Sequence, residues 1–424
     1  MKSFGDIMKW RKEQKASGVE PMRPTLMGKP KPSAAELRAA FPLAPVDWGA
    51  LAAPPSDAIQ AVWVGHATVL VQMGGATFLT DPVFSERCSP TQLYGPKRVA
   101  PPALTAADPL LTRLDFVLLS HNHYDHLDTD SVRALNKRFG QALTWYVPLG
   151  VGRWFASEGV KSVREMDWWE SAEHPLQGGG SVTVTMTPAQ HWSARGILDR
   201  FQTLWGGFVV TAPAPPPAPS NLTTSSSSGP SPTSPASAPA SSTPSPPDAS
   251  AGPATPAAPA AAGPKGGAEP LRFYFVGDTG YGPFFPEIGK RLGPFDLAAI
   301  PIGAYEPRWF MKPQHVNAEE GLQIAQEVGA RVSIGIHTAT WVLTDEPLDE
   351  PPARLEAAVR AAGLPPTSFV TLQHGAMAVV RGGELVNAPP TLPVEASEKL
   401  PAAAAAPSKA KAEAASGTAV VANC

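Results

Sequence analysis

Four metal-ligating side chains fall within six residues at His121-Asn122-His123-Tyr124-Asp125-His126. The apolar run Phe116-Val117-Leu118-Leu119 precedes them, so the motif reads as the loop at the carboxyl end of a strand. In an extended turn alternate side chains share a direction. That points His121 and His123 at one ion and brings Asp125 and His126 round to a second beside it. With nine His in 424 residues, a chance cluster of exposed polar groups is a poor account of this density.

The elements that would hold such a centre repeat one pattern. Residues 181–186 run toward His191, 273–276 into Asp278 and 332–336 into His337, each an apolar strand pattern followed by a ligand-type residue. Taken singly, each of these would be an ordinary hydrogen-bonded histidine or aspartate. Four strands ending this way predict a shared centre. Residues 61–71 and 77–79 are also β-rich, whereas 319–330 and 354–362 have helical spacing, the latter entered through Pro351 and Pro352 and followed by Gly363. Strands and helices mixed around one core predict an α+β fold of packed sheets with covering helices.

Composition narrows the possibilities. The formal net charge of −3 offers no basic surplus for neutralising phosphates, which argues against nucleic acid as a partner. Two cysteines, Cys88 and Cys424, are too few for a disulfide framework, and a reducing, intracellular compartment is expected. Residues 1–15 lack the apolar core of a signal peptide, and no run of about 18 apolar residues occurs, so a soluble or peripheral protein is expected. If residues 2–15 are helical, Phe4, Ile7 and Met8 share a face beside Lys2, Lys9, Arg11, Lys12 and Lys15, which suits an anionic membrane surface; a frayed terminus explains the pattern equally well.

With 50 Pro and 37 Gly, not all of the chain can fold compactly. The expected organisation is an N-terminal extension (1–45, partly disordered) and one domain in two parts (46–211 and 271–386). An insertion rich in Pro, Ala and Ser divides them (212–270), and a tail follows (387–424); both are expected to be disordered. Growing a loop from about seven to about sixty residues costs roughly 2 kcal/mol in closure entropy, which a well-packed core tolerates.

The ligand pattern resembles that of the metallo-β-lactamase superfamily from about residue 61 to 375, apart from the insertion. This resemblance implies an αββα sandwich of two β-sheets flanked by helices. It also implies that Asp81, in Leu79-Thr80-Asp81-Pro82, buttresses the metal loop rather than binding metal. Longer runs resemble the N-acyl-phosphatidylethanolamine-hydrolysing phospholipase D family: Trp63-Val64-Gly65-His66-Ala67-Thr68, residues 79–85, Val276-Gly277-Asp278-Thr279-Gly280-Tyr281, residues 293–312 and Gln314-His315-Val316.

That closer resemblance implies two Zn2+ ions, one on His121, His123 and His191, the other on Asp125, His126 and His337, with Asp278 bridging them. It implies catalytic roles for Asp125, Asp278 and His315, and places His66, Gln314 and His315 at the substrate; Gln314 and His315 would contact the phosphate or orient a ligand, and a purely structural role for them carries equal weight. His174 and His374 read as ordinary core or surface residues. The charge of two divalent ions exceeds that of two aspartates, which suits a phosphodiester anion. The implied reaction converts N-acyl-phosphatidylethanolamine to an N-acylethanolamine and phosphatidic acid. A phospholipid substrate, peripheral association with the cytosolic side of internal membranes, and a homodimer go with it. Trp168-Trp169, Trp192 and Trp309-Phe310-Met311 are candidates for an apolar approach to the metals, with core packing the weightier reading for any one of them.

This chain departs from the family at His337-Thr338-Ala339-Thr340-Trp341, where His-Trp-Gly-Thr-Phe is usual, and at Pro313, where an aromatic is common. The alternatives are a hydrolase of another ester or lactone, a nucleic-acid phosphodiesterase, and a non-catalytic scaffold of the same fold. The charge balance argues against the nuclease, and the full set of seven ligands against the scaffold. A di-iron redox centre is disfavoured because that branch resembles H-x-E-x-D, and this chain has His123.

Overall fold

The computed structural model describes residues 3–196, 198–214 and 269–394. Helices α1 (Phe4–Ser17), α2 (Ala34–Ala40) and α3 (Trp48–Ala52) lead into strands β1 (Ala58–Gly65), β2 (Thr68–Met73) and β3 (Ala76–Thr80). Then come β4 (Phe116–Leu118), α4 (Thr129–Phe139), β5 (Thr144–Pro148), α5 (Gly152–Ser157) and β6 (Val163–Met166). A second group contains β7 (Ser171–Pro175), β8 (Ser181–Thr187), β9 (Gly207–Ala212) and β10 (Leu271–Phe275). It continues through α6 (Phe285–Leu292), β11 (Phe295–Pro301), α7 (Arg308–Met311), α8 (Ala318–Glu327), β12 (Ala330–Ile336) and α9 (Glu350–Ala361). Strands β13 (Phe369–Val370), β14 (Met377–Arg381) and β15 (Glu384–Leu385) complete the described elements.

The strands form two sheets, ordered β15-β14-β1-β2-β3-β4-β5-β6 and β13-β12-β11-β10-β9-β8-β7. Each is antiparallel on one side and parallel on the other. In the first, β3 through β6 are parallel; in the second, β10 through β13 are. Parallel neighbours need crossovers, which α4 and α5 supply on one sheet and α6, α8 and α9 on the other. The central parallel strands are buried along most of their length and read as largely apolar runs, whereas the edge strand β6 is half exposed. On β4, Phe116 and Leu118 face the layer between the sheets while Val117 packs outward with Val132 and Leu135 of α4. In the inner layer Phe78 stacks on Phe116 at 4.6 Å and meets Phe273 of the opposite sheet edge-on at 5.7 Å. Outside the second sheet, Tyr274 and Ile300 pack against Phe285, Leu322 and Leu355. The result is the expected sandwich with helices on both outer faces.

Local signals explain the connections. Gly74 and Gly75 both have positive φ, 54° and 84°, as a two-residue hairpin turn between paired Met73 and Ala76 requires. Asp128 caps α4 by accepting from Ser131 N, and Asn317 with Glu320 forms a capping box on α8. Pro351 and Pro352 sit in the first turn of α9, where their missing N–H groups cost nothing.

The ends of the described chain are more structured than the sequence suggests. The extension, expected to be partly disordered, carries α1, capped through Ser3 and Asp6 and docked on the body. Trp10 packs on Phe310 at 4.8 Å and donates its indole N–H to Asp345 at 2.6 Å; buried Gln14 donates to the same carboxylate. The inward face of α1 is thus formed by Trp10 and Gln14, while Met8 stays 52% exposed. The tail boundary also moves: Leu392 is buried and its N–H donates to Thr371 O, so residues 387–394 belong to the folded body, and 395–424 lie outside the described residues. Of the proposed insertion, Ala212 is a buried member of β9, and residues 215–268 lie outside the described residues.

Strands β9 and β10 pair antiparallel with Ala212 opposite Leu271, so the chain leaves and re-enters the sheet at one place. Replacing 215–268 by a short turn therefore keeps every described contact and shortens the closed loop. Urea unfolding of that deletion variant is expected to show equal or greater stability, by up to about 2 kcal/mol; a loss of stability would show that the insertion packs on the body.

Candidate metal centre

Loops from both sheets meet at the carboxyl ends of the parallel strands. The His121 to His126 loop follows β4, Asp81 follows β3, Asp278 follows β10, His337 follows β12, and His191 follows antiparallel β8. All seven residues expected as ligands come together. His123 Nδ1 is 2.9 Å from His121 Nε2 and 3.3 Å from His191 Nε2. Asp125 Oδ2 is 3.3 Å from His126 Nε2 and 3.5 Å from His337 Nε2. Asp278 Oδ2 lies between the two groups, 3.1 Å from His126, 3.0 Å from His337, and 3.8 Å from both His121 and His191.

These spacings have a physical reading. Two donors about 2.1 Å from a shared zinc at the tetrahedral angle lie about 3.4 Å apart, which the observed separations bracket. Several of the close approaches are not hydrogen bonds. Among the converging atoms, buried His126 Nε2, His337 Nε2 and His315 Nδ1 find no hydrogen-bond partner. Donor atoms that converge at 3 to 4 Å without bonding one another fit a metal centre. His121, His123 and His191 form one set able to hold a metal, and Asp125, His126 and His337, with His66, form another.

The electrostatics agree. Burial, helped by the neighbouring imidazoles, pushes His121 well below its ordinary pKa and His123 to about 3; burial also takes His191 to about 4. All three are neutral, with lone pairs to give. Burial opposes charge on His126 and His337 too, but Asp278 and Asp125 outweigh it, lifting His126 well above its usual value and His337 to about 9. Burial alone would raise Asp125 and Asp278; His126 holds both well below the usual carboxylate range, with His337 adding to the effect on Asp278. Two carboxylates, Asp278 buried and Asp125 partly so, favour positive charge on the imidazoles of His126 and His337 beside them, and a divalent metal at the centre supplies that charge while leaving the imidazoles neutral.

The surrounding groups fix the ligands. Asp81 accepts from Ser120 N at 2.7 Å and sits 2.6 Å from His126 Nδ1, the buttress expected of it. The carbonyl of Gln314 accepts from His191 Nδ1 at 2.9 Å, so Gln314 orients a ligand through its backbone while its side chain turns to Met311. His315 is buried beside the centre, its Nδ1 3.9 Å from Asp278. His66, expected at the substrate, lies beneath the cluster at 2% exposure, with Nε2 3.0 Å from Asp125. Of the tryptophans, Trp192 lies against His123 at 4.3 Å, whereas Trp168 and Trp169 contact Trp205 and Arg291 away from the cluster, and Trp309 lies under Lys9 of α1. His174 and His374 are buried core residues, on Tyr146 and Trp63 respectively. Ser120, which joins Asp81 to His121 Nδ1, was not singled out from sequence; its position directly before the first ligand was the only signal.

Residues 76–216 and 261–338 match the beta-lactamase superfamily domain. The chain is 38% identical, over 74% of its length and 74% of the relative's, to N-acyl-phosphatidylethanolamine-hydrolyzing phospholipase D 1 of Caenorhabditis elegans. It is 35% identical to an uncharacterized protein of Mycobacterium tuberculosis (strain ATCC 25618 / H37Rv), over 70% of this chain and 63% of that one. It is 29% identical to the mitochondrial N-acyl-phosphatidylethanolamine-hydrolyzing phospholipase D of Saccharomyces cerevisiae, over 70% of this chain and 51% of that one. With this identity and this centre, the chain is a metal-dependent hydrolase of the metallo-β-lactamase fold and belongs to the N-acyl-phosphatidylethanolamine-hydrolysing phospholipase D family.

Proposed function

We propose that this protein hydrolyses the distal phosphodiester bond of N-acyl-phosphatidylethanolamine, releasing an N-acylethanolamine and phosphatidic acid. The observation that carries the reading is the 38% identity to the Caenorhabditis elegans enzyme across three quarters of both chains. The convergence of all seven ligand-type side chains supports it.

In this reading two Zn2+ ions are held, one by His121, His123 and His191 and the other by Asp125, His126 and His337, with Asp278 shared. Bound there, such ions lower the pKa of a water and offset charge on phosphoryl oxygens. The chain's own residues prepare that chemistry. Asp81, Ser120 and the Gln314 carbonyl accept hydrogen bonds from the Nδ1–H groups of His126, His121 and His191, which leaves each Nε2 lone pair facing the centre. His315, kept neutral by burial, has an unpartnered Nδ1 at the edge of the cluster and can donate to a phosphoryl oxygen. Trp192, with the Arg200 guanidinium 4.7 Å above its ring, offers an apolar surface beside a cation next to His123, which fits an amphipathic anion.

Because the substrate resides in a bilayer, we infer that the protein works at a membrane surface. No helix among the described residues is long and apolar enough to cross a membrane.

Mass spectrometry of purified protein with N-acyl-phosphatidylethanolamine in detergent micelles is expected to detect both products, with turnover lost on chelation. Two bound metals without turnover would move the substrate to another ester or lactone. Asp278→Asn is expected to lose most metal and most activity, and retention of both would sink its assignment between the ions. Asp81→Asn, which touches no reacting atom, is expected to weaken metal binding by roughly 10- to 100-fold with unchanged circular dichroism; wild-type affinity would remove Asp81 from the mechanism.

A further inference from the structure

We propose that His66 is a positioning residue that sets the affinity of one metal subsite, that of Asp125, His126 and His337, and leaves the His121, His123 and His191 subsite untouched. The proposal rests on the two-ion reading above.

The observation is the number of parts of the centre that converge on this one residue. Its backbone N–H donates to Thr340 Oγ1 at 2.8 Å, and its carbonyl accepts from His337 N at 3.0 Å and from the Trp63 indole at 2.9 Å. Its ring lies 4.0 Å from the His337 ring, and the Trp341 edge closes the other side at 4.8 Å. Its Nε2 reaches Asp125 Oδ2 at 3.0 Å. His66 thus ties the turn between β1 and β2 of one sheet to the loop after β12 of the other, and ties both to the metal loop after β4.

The support is uneven between the two subsites. His121 and His191 are held by Ser120 and by the Gln314 carbonyl, neither of which touches His66. His126 is held by Asp81. For the Asp125 carboxylate, the hydrogen-bond partner outside the ligand set is His66, and the His337 imidazole has neither ring nitrogen hydrogen-bonded. A carboxylate that accepts one hydrogen bond on Oδ2 has its orientation fixed relative to the neighbouring imidazoles. Outer groups of this kind govern metal affinity by roughly 10- to 100-fold.

The geometry also separates side chain from backbone. His66 has φ 53°, in the left-handed region that Asn tolerates better than most residues. His66→Asn keeps the backbone but is too short to reach Asp125, whereas His66→Gln places an amide N–H at about the reach of the imidazole Nε2.

The test is zinc titration of the metal-free proteins against a competing chromophoric chelator, with Co2+ absorption spectra as a report on ligand number. Wild-type protein is expected to show two sites. His66→Asn should show one unchanged site and one weakened roughly 10- to 100-fold, and His66→Gln should restore both, with the Co2+ spectrum of wild type. Two wild-type affinities in His66→Asn, or equal weakening of both sites, would overturn the proposal. So would weakening in His66→Gln with a changed Co2+ spectrum, because His66 would then be a direct ligand. Fewer than two sites in wild type would overturn the two-ion reading and this proposal with it.

Discussion

The site depends on offsetting the charge of two carboxylates, Asp125 and Asp278, that meet imidazoles from both sheets at one point. Asp125 and Asp278 stand where burial penalises charge, and a buried carboxylate costs several kcal/mol unless opposite charge and hydrogen bonds compensate it. The compensating groups cannot come from one element. His126 lies on the loop after β4 of the first sheet and His337 on the loop after β12 of the second, and both must approach Asp278 for its charge to be balanced. The sandwich is therefore the means by which the charges find each other. A metal ion at the same place tightens the link between folding and binding, since the ligands converge only in the closed structure.

Bringing loops from two sheets to one point has a conformational cost. His66, Asp81 and His337 all adopt positive φ, a region non-glycine residues avoid and one that concentrates at functional sites. Each of the three is locked by hydrogen bonds that cross between elements: Asp81 to Ser120 and His126, His66 to Thr340 and Asp125, and His337 to the His66 carbonyl. Strain and support thus fall on the same residues. The inner aromatic layer of Phe78, Phe116 and Phe273 keeps the sheets at the spacing this requires.

The N-terminal helix extends the network outward. Trp10 and Gln14 of α1 hold Asp345, Trp10 covers Phe310 of α7, and Trp309 donates to Glu13. Helix α7 leads directly into Gln314 and His315, whose N–H groups both return to the Met311 carbonyl. The corner that orients His191 is therefore braced from outside the sandwich by a segment distant in sequence.

The chain's own pattern marked the strands that lead into the ligand loops, those loops and the seven ligand-type residues, because apolar runs interrupted by His and Asp are local signals with a direct physical meaning; it did not mark others such as β5 to β7 and the central β11, and it read the hairpin of β1 and β2 as one run. His121, His123, Asp125 and His126 were legible from spacing alone; His191, Asp278 and His337 needed the repeated pattern and the family resemblance. Asp81 was legible as a buttress only through that resemblance. The placement of His66 beneath the cluster, the use of the Gln314 carbonyl rather than its side chain, and the brace of Trp10 on Asp345 were decided by tertiary structure. Each depends on where a residue far along the chain arrives: 59 positions from His66 to Asp125, 123 from His191 to Gln314, and 335 from Trp10 to Asp345. A sequence specifies what each side chain can bond to. Which partner it meets is settled when two sheets close on one another and leave a buried donor a single acceptor within reach.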